Sequence, residues 1–122
     1  MTSPTHIDPT ELPDVIRSFM VAHIDRDADT AIAAFAPDAV ITDEGHSFRG
    51  TDQVHEFLRT AGSEFTYTTE VLGAERTDDE HWAVLIRIEG NFPGGSADLT
   101  YQFSFDGDRV SELHIAPTAA EA

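Results

Sequence analysis

No cysteine occurs in the 122 residues. That excludes disulfides, thiolate nucleophiles and cysteine-ligated zinc, and it leaves the redox compartment open. Lysine is absent as well: Arg17, Arg26, Arg49, Arg59, Arg76, Arg87 and Arg109 stand singly against 23 acidic residues, for a formal net charge of −16. A nucleic-acid or anionic-membrane partner needs clustered cations to displace counterions, so neither is expected. No apolar run approaches the ~20 residues of a membrane span. The opening MTSPTHIDPTE lacks the basic and apolar regions of a secretory signal, which makes a cytoplasmic address the expectation. Metal and phosphate motifs fail on inspection. Asp25, Asp27 and Asp29 begin like a calcium loop, but Thr30 stands at its glycine position and Ala36 at its closing glutamate. His55-Glu56 begins a zinc-protease helix, but Arg59 occupies the place of the second histidine. No glycine-rich phosphate loop or nucleophile elbow is present, and no cofactor or metal is expected.

What is present suits one domain: 40% hydrophobic residues in a chain long enough to bury roughly two-thirds of its unfolded surface. Residues 1–7 read as a loose N-terminal end, 8–116 as the domain and 117–122 as a loose tail. Asp8-Pro9-Thr10-Glu11 has the capping residue, the proline and the third-position glutamate of a helix start, although Pro13 leaves Thr10 as an alternative. Leu12, Val15, Ile16, Phe19, His23 and Ile24 recur at helical spacing and predict one buried face. Asp27 caps a second short helix running to about Phe35 and closed by Pro37. A third, opened by Gly50 or Thr51, carries Val54, Phe57, Leu58 and Ala61 and ends at Gly62. Four strands follow, over 65–76, 82–89, 97–105 and 110–115, with Asp106-Gly107 the strongest hairpin signal. Helices followed by a meander predict an α+β domain with helices on one face of a mainly antiparallel sheet.

Between the second and third helices, FAPDAVITDEG carries the residue on which a functional reading turns. Strand side chains alternate, so Ala39, Ile41 and Asp43 share one face. A carboxylate among apolar neighbours is either turned to water at the strand end or held in a half-apolar pocket, where its proton affinity rises. His23 lies one helical turn after Phe19, placed to meet Asp43 or a ligand, or else to be satisfied within the core. Tyr101 shares its face with Leu99, Phe103 and Phe105, which fits packing with a hydroxyl at a pocket rim as well as it fits catalysis. Trp82, Val84, Ile86 and Ile88 form one face of their strand, and Glu112 and His114 point away from Leu113 and Ile115.

The strings DADTAIAAFAPDAVITD, FRG before QVHEFL, and YQFSFDGDRVSEL resemble the nuclear transport factor 2-like superfamily, in particular its SnoaL-like and ketosteroid-isomerase-like branch. The resemblance spans roughly residues 10–116. It implies a cone-shaped α+β fold, a strongly curved sheet around three N-terminal helices, with an apolar pocket at its open end and commonly a dimer. It places Asp43 where the isomerases keep their general-base aspartate. It places Phe19 where they keep an oxyanion-hole tyrosine, and a phenyl ring cannot donate a hydrogen bond. Tyr101 stands where they keep a protonated aspartic acid.

Two functions follow. One is a cofactor-free isomerase or cyclase acting on an apolar carbonyl or polycyclic molecule, with Asp43 as acid/base and Tyr101 or His23 stabilising the enolate. Phe19, Phe57, Leu58, Trp82, Phe103 and Leu113 are the expected ligand-lining residues. The other is a non-catalytic module that binds an apolar ligand, or that uses the outer sheet face to form a homodimer or hold a protein.

Overall fold

The computed structural model describes residues 4–43, 45–60 and 65–118. The Asp8 signal closes a capping box, with Asp8 accepting from the Thr10 amide at 2.9 Å and Glu11 accepting from the Asp8 amide at 2.8 Å. The box caps a single 3-10 turn, Pro9–Glu11, and not the first long helix. Pro13 is the reason. It disfavours helical backbone in the residue before it, and Leu12 is extended at φ −65°, ψ 149°. Helix α1 therefore begins afresh at Asp14 and runs Asp14–Ile24. Ile16, Phe19 and Met20 form its buried stripe, with Ala22 also covered, whereas Ile24, expected inside, lies on the stripe's margin and is 40% exposed. The stretch before Asp8, expected to be loose, contributes β1, Thr5–Ile7, an edge strand.

Asp27 caps α2, Ala28–Ala31, by accepting from the Thr30 amide at 3.2 Å and its hydroxyl at 2.6 Å. Helical backbone continues as a 3-10 turn, Ile32–Ala34, and so ends within a residue of the expected Phe35. Pro37 pushes Ala36 toward extended backbone, so strand β2 already begins at Phe35 and runs Phe35–Asp43 through the proline. The remaining elements are β3 His46–Arg49, α3 Gly50–Thr60, β4 Tyr67–Asp78, β5 His81–Gly90, β6 Ser96–Asp106 and β7 Arg109–Pro117. Gly62, the expected end of α3, lies outside the described residues. The tail is not loose at its start: Pro117 closes β7, and the Thr118 amide donates to the Asp98 carbonyl at 2.8 Å.

The sheet has seven strands in the order β1-β4-β5-β6-β7-β2-β3. Neighbours are antiparallel except β2 and β7, which run parallel, so the sheet is mixed. The helices are likewise not one N-terminal block, because β2 and β3 intervene before α3. Register slips in β4–β5 and β6–β7 bend the strands, and the curled sheet closes on the helices. Ile16 and Phe19 from α1, Val54 from α3, and Ile41, Val84, Phe103, Val110 and Leu113 from the sheet are below 2% exposed. The β6–β7 hairpin turns on Gly107-Asp108, one residue later than Asp106-Gly107. Asp106 pairs with Arg109, and Gly107 supplies the positive φ of 69°.

Gly90 has a different reason to be glycine. A Cβ there would run into the Thr66 carbonyl and the Tyr67 side chain across the β4–β5 ladder. Gly90→Ala is expected to destabilise the protein by about 1–3 kcal/mol through overpacking, as read from denaturant unfolding. An unchanged midpoint would show that this edge yields freely. No described helix is long and apolar enough to cross a membrane.

Candidate functional site

Three neighbouring strands set the site's spacing. On β7, Ile115 pairs with Tyr101 of β6 on one side and with Asp43 of β2 on the other. Residues paired across a ladder present their side chains to the same face, so the carboxylate and the phenol flank one isoleucine on the inner face. Helix α1 supplies the third group: His23 Nε2 lies 3.0 Å from the Tyr101 hydroxyl. The Phe19 ring stacks on the His23 ring at 5.3 Å with 11° between planes, which fixes the imidazole's orientation from below.

These three groups open into a cleft of about 510 Å³. Its other walls are mostly apolar: Phe57 from α3, Phe65, Tyr67 and Phe92 at the mouth, and Ile88 and Leu99 on the sheet. A concave, apolar space with a few convergent polar groups is the usual form of a small-molecule site. Asp43 is half-buried and Tyr101 is buried.

The surroundings set the protonation states. Burial, with help from the positive charge of Arg26, pushes His23 down to about 4, so the imidazole is neutral near pH 7. Burial, then the neighbouring Tyr67 and Asp43, pushes the Tyr101 phenol up, so it keeps its proton. The pair is therefore a neutral hydrogen-bond relay, in which the imidazole tautomer decides which atom donates.

The His23 shift has a consequence for stability. The unfolded chain takes up this proton near 6.5 and the folded protein only near 4, so between those values the unfolded state holds more protons and stability rises with pH. The contribution is complete above 6.5 and is lost as pH falls toward 4, by about 3 kcal/mol in all. Denaturant unfolding across that interval should show this loss, and His23→Gln, which can still hydrogen-bond Tyr101, should flatten it. An equally steep loss in the glutamine variant would assign the acid sensitivity to other groups.

The structure brings together Asp43, His23 and Tyr101, with Phe57 on the cleft wall. It does not bring the other expected lining residues to the cleft. Phe19, Leu58, Phe103 and Leu113 are core residues, with Phe103 edge-on to Phe19 at 5.7 Å. Trp82 sits at the far end of β5, where Nε1 donates to the Asp79 carbonyl at 3.3 Å and the Arg76 guanidinium covers its ring at 5.3 Å. Glu112 and His114 are exposed, on the face opposite Leu113 and Ile115. Phe65, Tyr67 and Phe92 were not singled out by spacing. The available signal was an aromatic strand start paired with an aromatic turn, FTY against NFPGG. Among the described residues no group of three His, Asp or Glu side chains is placed to hold a metal ion.

The family is decided by comparison. A sequence model of the SnoaL-like domain matches residues 16–113. The chain belongs to the SnoaL-like domain family. Its fold is that of the nuclear transport factor 2-like superfamily, as three solved structures illustrate. A protein of Sinorhizobium meliloti with a provisional polyketide cyclase assignment is 30% identical, with a TM-score of 0.81 over 90% of this chain and 100% of that one. A Catenulispora acidiphila protein with a ketosteroid isomerase-like fold, solved with trimethylamine, is 14% identical, with a TM-score of 0.73 over 85% of each chain. A nuclear transport factor 2-like protein of unknown function from Burkholderia xenovorans is 15% identical, with a TM-score of 0.72 over 89% of this chain and 84% of that one. The latter two share the fold alone. No curated protein gives a significant match.

Proposed function

We propose that this SnoaL-like protein is a cofactor-independent acid–base enzyme acting on an uncharged, enolisable carbonyl compound with an apolar body, as an isomerase or cyclase. The observation that carries the reading is the meeting of Asp43 with the hydrogen-bonded His23–Tyr101 pair in one apolar cleft. The cyclase assignment of the Sinorhizobium meliloti protein supports the reaction class.

Each residue's part follows from its surroundings. Asp43 removes a proton from the carbon beside the carbonyl, and the electron pair moves to the oxygen as an enolate. Tyr101, still protonated, donates a hydrogen bond to that oxygen as its charge grows. With its proton on Nε2, His23 donates to the Tyr101 oxygen and leaves the phenol hydrogen for the substrate. Returning the Asp43 proton to a different carbon completes an isomerisation. In a cyclisation the enolate carbon instead bonds to a second carbonyl of the same molecule, and the new alkoxide takes the proton from Asp43. Phe19 has no donor to add, so in this reading Tyr101 carries the oxyanion stabilisation.

The cleft also sets the substrate's charge. Among the described residues, Asp43 is the charged residue on its lining, and no arginine stands there to balance a phosphate or carboxylate. Neutral bicyclic and polycyclic ketones are therefore expected to raise the melting temperature, and their carboxylate analogues are expected not to. A ligand at 100 times its Kd adds about 2.7 kcal/mol to stability. Equal shifts from both members of a neutral–anionic pair would contradict this reading.

The same cleft without turnover is a ligand-binding module, and the donor-less Phe19 beside His23 favours that second reading. It predicts a melting shift with no accelerated proton exchange. Association of two copies through the outer sheet face is compatible with either reading.

A further inference from the structure

Arg26 lies two residues past the end of α1 and carries φ +60°, the left-handed backbone that a side chain with a Cβ seldom adopts, and it is the one described residue other than glycine to do so. Glycine would hold this position without strain. The arginine does something glycine cannot. Its Nη2 donates to the Phe65 carbonyl at 3.1 Å, and its guanidinium lies over the Tyr67 ring at 4.9 Å. Both residues line the cleft, and both lie about 40 residues along the chain from Arg26, which sits in the turn between α1 and α2. Backbone strain kept beside a site, with the strained side chain joining two of its walls, marks a residue held for function.

We propose that Arg26 is a positioning residue of the cleft, clamping the Phe65–Tyr67 wall to the end of α1 so that this wall and the His23–Tyr101 pair meet a ligand in one fixed arrangement. The proposal rests on the cleft being the working site, and it adds a residue that does not itself line that cleft. The fit is specific to arginine. A planar guanidinium donates to a carbonyl along its edge while stacking by its face, whereas an ammonium is a point charge. The wall held in this way is continuous with the β4–β5 end. The Thr66 amide donates to Asn91 Oδ1 at 2.8 Å, and the Asn91 amide donates to the Thr66 carbonyl at 3.1 Å. The charge of Arg26 also reaches His23, whose neutrality it supports. Among the described residues, the charged and titratable groups facing His23 are Arg26 just past the end of α1, Tyr101 from β6, Tyr67 from β4 and Asp43 from β2.

The test compares the wild type with Arg26→Gly and Arg26→Asn, two residues at home in left-handed backbone, and uses no ligand. Amide hydrogen exchange is expected to accelerate about tenfold or more at Thr66 and Asn91 in both variants, with the Val84 and Phe103 amides unchanged. The His23 titration followed by NMR is expected to move up by about half a pH unit or more, while Arg26→Lys, which keeps the charge, leaves it in place. Arg26→Lys, which keeps the charge but not the planar fork, is expected to show the faster exchange at Thr66 and Asn91 without the titration shift. Exchange at Thr66 and Asn91 within twofold of wild type, or acceleration spread evenly over the chain, would overturn the clamp. Neither readout depends on turnover, so the clamp can fail while Asp43 chemistry stands, and the reverse.

Discussion

Asp43→Asn is expected to reduce α-proton exchange of a bound ketone by about a hundredfold or more, the range associated with loss of a positioned general base. The amide keeps the size and much of the hydrogen bonding of the carboxylate but cannot hold the abstracted proton. Asp43 is half-buried at the end of β2 and contributes no apolar core, so the stability cost should stay within ~1 kcal/mol. A ligand that raises the melting temperature of the wild type should still raise that of the variant. Near-complete turnover in the variant would remove Asp43 from the chemistry and return it to the role of a strand-end carboxylate.

Tyr101→Phe separates the second part of the mechanism. Taking away one donor to a developing oxyanion costs roughly 10²–10³ in kcat. The ring's packing beside Phe103 is kept, so ligand binding should weaken far less than turnover. Stability should fall by about 1–3 kcal/mol, because the His23 nitrogen at 3.0 Å loses its partner inside the protein. The split between kcat and KM is the informative quantity. A rise in KM with kcat unchanged would make Tyr101 a binding residue and leave the enolate without a donor from the sheet.

The strand-borne part of this site was legible in the sequence because strand periodicity is short and rigid. Ala39, Ile41 and Asp43 alternate as two-residue spacing requires, and Leu99, Tyr101 and Phe103 do the same on β6. The Asp27 cap was legible because a side chain bonding its own next turn is a local event. Elements punctuated by proline were less so. Asp8 carried a correct local signal, a capping box, but that signal does not give the length of the element beside it, whereas the helix stop before Pro37 was read to within a residue. Pro13 cut the first helix back to Asp14, and Pro37 let β2 start at Phe35. The parallel pairing of β2 with β7 was not legible, since it joins segments about 70 residues apart with no local trace. For the same reason periodicity could name Phe19, Phe103 and Leu113 as inward-facing but could not distinguish the core from the cleft. That distinction depends on where the curled sheet stops being covered by helix. Tyr67 and Phe92 come together at the cleft through the pairing of the β4 start with the β5 end, where Tyr67 faces Gly90 and its ring meets Phe92.

The central claim, that the cleft performs acid–base chemistry on a neutral ketone, is tested most directly by following exchange of the activated methylene protons of β-tetralone in heavy water by NMR, with and without the protein. The account predicts exchange that is saturable in ketone, faster with the wild type than in buffer at the same pH, and reduced about a hundredfold or more by Asp43→Asn. Exchange no faster than in buffer, for β-tetralone and for every ketone that raises the melting temperature, would contradict the claim and leave the cleft as a binding site alone.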